Sequence, residues 1–204
     1  MKSNVCKIEN GTKDLAAILK ESEKVAVYNE LTHKQTLQLR LLCEEIDGML
    51  PNIVDDFSGE LWIEFEDGVC KVNVSLYFEE FTASKKAELV GISKNKKNAA
   101  VVGIVGKIRS ALENVFMDED KLSGDVPLES RYLAFEYYNA MDYSFAADYT
   151  YFWSLEQYRN SVKKEEKKEA WDELEKSVIA SVADDVIVGV KGKRADIVVV
   201  KKFA

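Results

Sequence analysis

THKQTLQLRLLCEEIDGMLPNIVDDFSGELWIEFEDGVCKVNVSLYFEEF, residues 32–81, is the stretch whose reading decides the fold. Its first half carries Leu37, Leu39, Leu41, Leu42, Ile46, Met49, Leu50 and Ile53 at helical spacing. So wide an apolar face belongs inside a fold. Thr32 is placed to cap this helix, with Gln35 at the capping-box position. Pro51 lacks an amide hydrogen and crowds the preceding turn, which predicts a kink or an early end near Leu50. The second half alternates. Leu61, Ile63 and Phe65 interleave with Glu60, Trp62 and Glu64, and Val72, Val74, Leu76 and Phe78 with Lys71, Asn73, Ser75 and Tyr77. Period two with one apolar face predicts strands over Glu60–Phe65 and Cys70–Phe78. Asp67-Gly68 between them is a tight hairpin turn, since both residue types accept positive φ.

Outward from this block, Thr12 is a plausible cap for a helix running to about Asn29, with Leu15, Ile18, Leu19, Val25 and Ala26 on one face. On the C-terminal side, Ser84 caps a short helix to about Ile92, and Ser93–Asn98 is a lysine-rich loop. Ala99–Phe116 reads as a helix with Val102, Val105, Ile108 (or Ile104), Leu112 and Val115 inward. Asp118–Leu128 is an acidic loop. Seven of the nine tyrosines fall between Tyr132 and Tyr158, where periodicity is weak, so residues from about 118 to 160 read as an aromatic-rich insertion in a single domain. The charge run Ser161–Glu169 suits the solvated start of a helix continued by Trp171, Leu174, Val178 and Val182. Asp185–Val190 and Ala195–Lys202 close the chain as two strands about a turn at Gly192. Val198-Val199-Val200 is too apolar for an exposed edge. No fixed-period repeat is visible.

Composition narrows the function classes. A net charge of -8 argues against nucleic acid as partner, because phosphate contacts need a basic face. No run of apolar residues is long enough to span a membrane, and Met1–Asn10 has no signal-peptide core, so a cytoplasmic protein without membrane association is expected. Cys6, Cys43 and Cys70 read as small buried thiols. With His33 they have no metal-site spacing, and no metal is expected. His33 reads as an exposed turn residue without a catalytic partner.

The order of helix, helix, hairpin, helices, insertion, helix and hairpin requires helices layered over a sheet. At Leu37–Phe78 and Leu174–Lys202 the chain resembles the GHKL superfamily, the ATP-binding domains of histidine kinases and anti-sigma-factor kinases. It is also similar to a group of uncharacterised bacterial proteins that share Leu39–Glu45, a Leu-Arg-Leu-Leu-x-Glu-Glu helix, and the Trp-Ser-Leu…Tyr-Arg segment Trp153–Arg159. The resemblance covers roughly 70 residues. It implies an α/β (α+β) two-layer sandwich, a mixed sheet with helices on one face.

The family's functional residues carry over poorly. Its first motif is a helical Glu, the general base, followed four residues later by an Asn that holds Mg²⁺. Glu44 stands at the first position and Gly48 at the second; if Glu45 is taken instead, Met49 stands there. Neither offers an oxygen to a hard cation. Leu76 falls about where the adenine-reading Asp belongs. Glu173–Ser177 has no glycine to cradle phosphate. The resemblance therefore implies a non-catalytic binding or regulatory module with degenerate nucleotide motifs and no cofactor. The alternative is a kinase-like regulator that binds ATP with Mg²⁺ through non-standard residues. For that alternative, Glu44 would hold a water, and Lys96, Lys97 and Asn98 would meet the phosphates. The bland reading of the loop is solvated lysines beside close helix packing at Gly103 and Gly106. Eleven aromatic residues lie between Tyr132 and Tyr158, more than so short a segment needs for its own packing. A protein partner is the expected ligand there, with Tyr149, Tyr151, Trp153 and Tyr158 as contact residues, since Tyr and Trp dominate binding hot spots. Sealing a small core is the competing role.

Overall fold

The computed structural model describes residues 1–10, 15–54, 56–77, 151–164 and 177–203, together with Gly106, Ile108 and Leu174. Six strands form one sheet: β1 (Cys6–Glu9), β2 (Ser58–Glu66), β3 (Val69–Tyr77), β4 (Tyr151–Ser154), β5 (Asp185–Lys191) and β6 (Arg194–Lys202). Four helices are described: α1 (Leu15–Tyr28), α2 (His33–Ile53), α3 (Leu155–Lys164) and α4 (Val178–Val182).

α2 is the helix of the opening block. Thr32 and Gln35 form the expected capping box, with Gln35 N donating to Thr32 Oγ1 and Thr32 N to Gln35 Oε1. The helix passes Pro51 without an early end at Leu50 and stops at Ile53, with Val54 as its C-cap. Pro51 lies in the final turn and faces solvent, and Val54 N still reaches the Leu50 carbonyl at 3.1 Å. A proline so near the end forfeits one hydrogen bond without having to kink a continuing helix.

The hairpin turn at Asp67-Gly68 has φ of 49° and 77°, both left-handed as expected. Gly59 on β2 sits where a Cβ would collide with the Ser75 carbonyl, so close backbone approach requires glycine there. The inward faces of β2 and β3 supply Leu61, Ile63, Val72, Val74 and Leu76 to one core. Leu39, Leu42, Cys43 and Ile46 of α2 meet them from above, with Ile18 and Val25 of α1, Leu155 of α3, Ile179 of α4 and the helical Ile108. The described helices therefore lie on one face of the sheet. Each fully buried Leu or Ile contributes roughly 1.5–3 kcal/mol relative to exposure.

The expected mixed sheet is corrected. Among the described residues all five strand pairings are antiparallel, in the order β1-β2-β3-β6-β5-β4. A single helix between neighbouring strands returns the chain for parallel pairing. Between β1 and β2 there are two helices, α1 and α2, so the chain comes back reversed and pairs antiparallel. β1 and β4 are themselves additions to the expected strands. β1 falls in the N-terminal segment and β4 inside the aromatic stretch. The end of the expected insertion is thus part of the sheet, and α3 starts at Leu155 rather than in the charge run at Ser161.

The strand order reveals a repetition invisible in the sequence. Each half of the sheet is a short edge strand, an intervening helical layer and a tight hairpin. The central pairing runs Val69↔Lys202 at one end, Tyr77↔Arg194 at the other and Asn73↔Val198 at the middle, which is the register a twofold axis between β3 and β6 would impose. The two connections differ in length, residues 10–57 against 155–184, so no constant period marks the repetition.

A buried polar group pins that central register. On the sheet face away from the described helices, the Ser75 hydroxyl donates to Asp196 Oδ1, and Arg194 Nε lies 2.9 Å from Oδ1 and 2.8 Å from Oδ2 of the same carboxylate. Asp196 is buried and Arg194 half exposed. A slip of one residue would break this cluster and exchange Ile197 and Val199 of the helix-covered face with Val198 and Val200 of the other. Asp196→Ala leaves a buried hydroxyl and a cation without their acceptor. The expected loss is about 2 kcal/mol, below the value for a fully buried pair because the guanidinium can reach water. Urea denaturation measures it, and a loss under about 0.5 kcal/mol, typical of surface substitutions, would assign the cluster to the surface class.

Glu21 ties the N-terminal segment to α1. Its carboxylate accepts from Lys24 Nζ at 2.5 Å, from Asn4 N at 3.1 Å and from Asn4 Nδ2 at 3.2 Å. The Lys24 contact is the largest cause that lowers its pKa below the usual 4.5. Burial opposes it and the Asn4 bonds add to it. A lowered folded-state pKa means stability that is present above the unfolded value and lost as pH falls through the folded one. The melting-temperature gap between the native chain and Glu21→Gln is therefore expected to hold from pH 7 to about 5 and to shrink below 4.5. A gap that is constant down to pH 3 would contradict this.

Candidate functional site

Glu44, on α2, is half-buried and bound to its own helix. Arg40 Nε donates to Glu44 Oε1 at 3.0 Å, an i,i+4 pair, while Arg40 Nη1 lies 3.6 Å from Glu23 Oε1 on α1. The carboxylate is thus part of a chain of ion pairs over the α1–α2 surface. One turn on, Gly48 faces solvent, and a side chain added there would meet no atom within 4 Å. Met49, the alternative partner of Glu45, is buried in the core. Leu76, near the end of β3, is fully buried on the helix-facing side, paired with Gly59 and Ala195. The three positions singled out in the sequence are therefore an ion-paired glutamate, a solvent-facing glycine and a core leucine. Lys96, Lys97, Asn98 and Tyr149 lie outside the described residues, as do Gly103 and Glu173 with its neighbours Glu175 and Lys176.

Tyr151 opens β4, paired with Val190. Trp153 is half-buried and packs against the core. Its ring centroid lies 6.2 Å from that of Tyr158, tilted by 40°, and Tyr158 packs on the same core. The segment around them is a structural joint. Ser154 is buried and its hydroxyl accepts from Gln157 N at 3.2 Å, capping α3, while Asp185 Oδ1 accepts from Glu156 N at 3.0 Å. Leu155 enters the core. The Arg159 guanidinium donates to the carbonyls of Ala180, Ala183 and Asp184 at the end of α4, three acceptors that a helix C-terminus leaves open. Asp184 in turn accepts from Lys202 N at 2.6 Å. One stretch from Trp153 to Arg159 thus fastens β4, α3, α4 and the last hairpin. The signal was present in the sequence as Ser154 with Gln157 at the N3 position, a capping-box spacing.

The three thiols are all buried in the main core. Burial pushes Cys70 up to about 12 and raises Cys43 further, with Cys70 and Cys6 adding to the shift at Cys43. Thiols held protonated in this way are packing groups, not nucleophiles. Among the described residues, no group of three or more His, Cys, Asp or Glu side chains is placed to hold a metal ion, and no helix is long and apolar enough to cross a membrane.

No protein-family model, curated protein or solved structure matches the chain.

Proposed function

We propose that this chain is a non-catalytic binding or regulatory module, a GHKL-like sandwich whose nucleotide motifs have been replaced by packing, and that its partner is a protein. The observation that carries the reading is Leu76. A hydrocarbon side chain with 0% exposure stands where the family's adenine-reading carboxylate would be. Burying it favours the fold and offers a purine no hydrogen bond. Glu44, engaged by Arg40, and the bare surface at Gly48 point the same way. In that reading the aromatic segment supplies the contact surface, through Tyr149, Tyr151 and neighbouring aromatic residues, while Trp153 and Tyr158 anchor the segment to the core.

Thermal unfolding with and without Mg-ATP tests this. The expected result is no shift at millimolar nucleotide. A binder at 100 times its dissociation constant gains about 2.7 kcal/mol, which for a chain of this size is a rise of roughly 5–11 °C. A rise of that order would replace the proposal with the ATP-binding alternative.

A further inference from the structure

We draw no further inference here: the strongest candidate, the exposed apolar patch formed by Val27 and Tyr28 at the end of α1 and Leu37 early in α2, is a helix-pair face for which nothing in the structure shows what covers it.

Discussion

Leu76→Asp, which would put a carboxylate about where the proposed GHKL likeness calls for one, is expected to unfold the protein rather than create a nucleotide site. Leu76 is fully enclosed by the main core, between Gly59 and Ala195 on the neighbouring strands. A carboxylate there has no partner, so it must be held neutral. Keeping an Asp of ordinary pKa protonated at pH 7 costs about 4 kcal/mol. The lost apolar burial adds about 2 kcal/mol. The total of about 6 kcal/mol is comparable to the whole stability of many domains. The sign of the pH effect follows. The folded-state pKa of this Asp is raised, so the penalty is largest above it and falls as pH drops toward 4, where the unfolded chain protonates as well. Leu76→Ala provides the comparison, with a loss of about 3 kcal/mol that does not vary with pH. Chemical denaturation of both variants at pH 7 and pH 4.5 separates the two. A Leu76→Asp chain that kept the native melting temperature and gained stability with Mg-ATP would mean that β3 ends in an open pocket, and the proposed function would fall with it.

Trp153→Ala is expected to cost about 3 kcal/mol, a fall of roughly 6–12 °C in melting temperature. The ring is half-buried against the core and beside Tyr158, and it sits on the last strand of the described sheet, held by four residue pairs to β5. Removing it leaves a cavity beneath β4 next to the Ser154 and Asp185 caps of α3. Trp153→Phe should recover most of the loss, since it keeps an aromatic ring against Tyr158. The same variants measure the residue's other role. A partner-facing hot-spot side chain loses about 2 kcal/mol or more of binding on truncation while the fold is unaffected. An unchanged melting temperature in Trp153→Ala would therefore return Trp153 to the surface and make it a contact residue. A large drop leaves the partner surface to the other aromatic side chains of the segment.

The sequence by itself determined the local elements whose cause is local. The period of three to four from Leu39 to Ile53, with Thr32 and Gln35 ahead of it, is enough to specify α2 and its cap. The period of two on either side of Asp67-Gly68 specifies a hairpin, because the turn residues accept positive φ and one face is apolar. The valines of β6 announced a covered strand.

Tertiary structure alone decided the rest. β1 and β4 are four residues each, too short for periodicity to mark, and they exist because neighbouring strands offer unpaired backbone groups. The antiparallel return of β2 onto β1 depends on the two helices between them, and the central pairing on which strands meet across 121 residues, as at Ser75 and Asp196. The twofold register between β3 and β6 is hidden because unequal connections erase any constant period. Glu44 shows the same division at the site. Its carboxyl chemistry can be read from the chain, but its engagement by Arg40, and through Arg40 with Glu23, is set by the packing of α1 on α2. Trp153 was visible as part of the aromatic stretch and Arg159 as the end of the Trp153–Arg159 segment. That one packs inward and the other caps α4 follows from elements brought beside them by the fold, and a side chain's role is fixed by those neighbours.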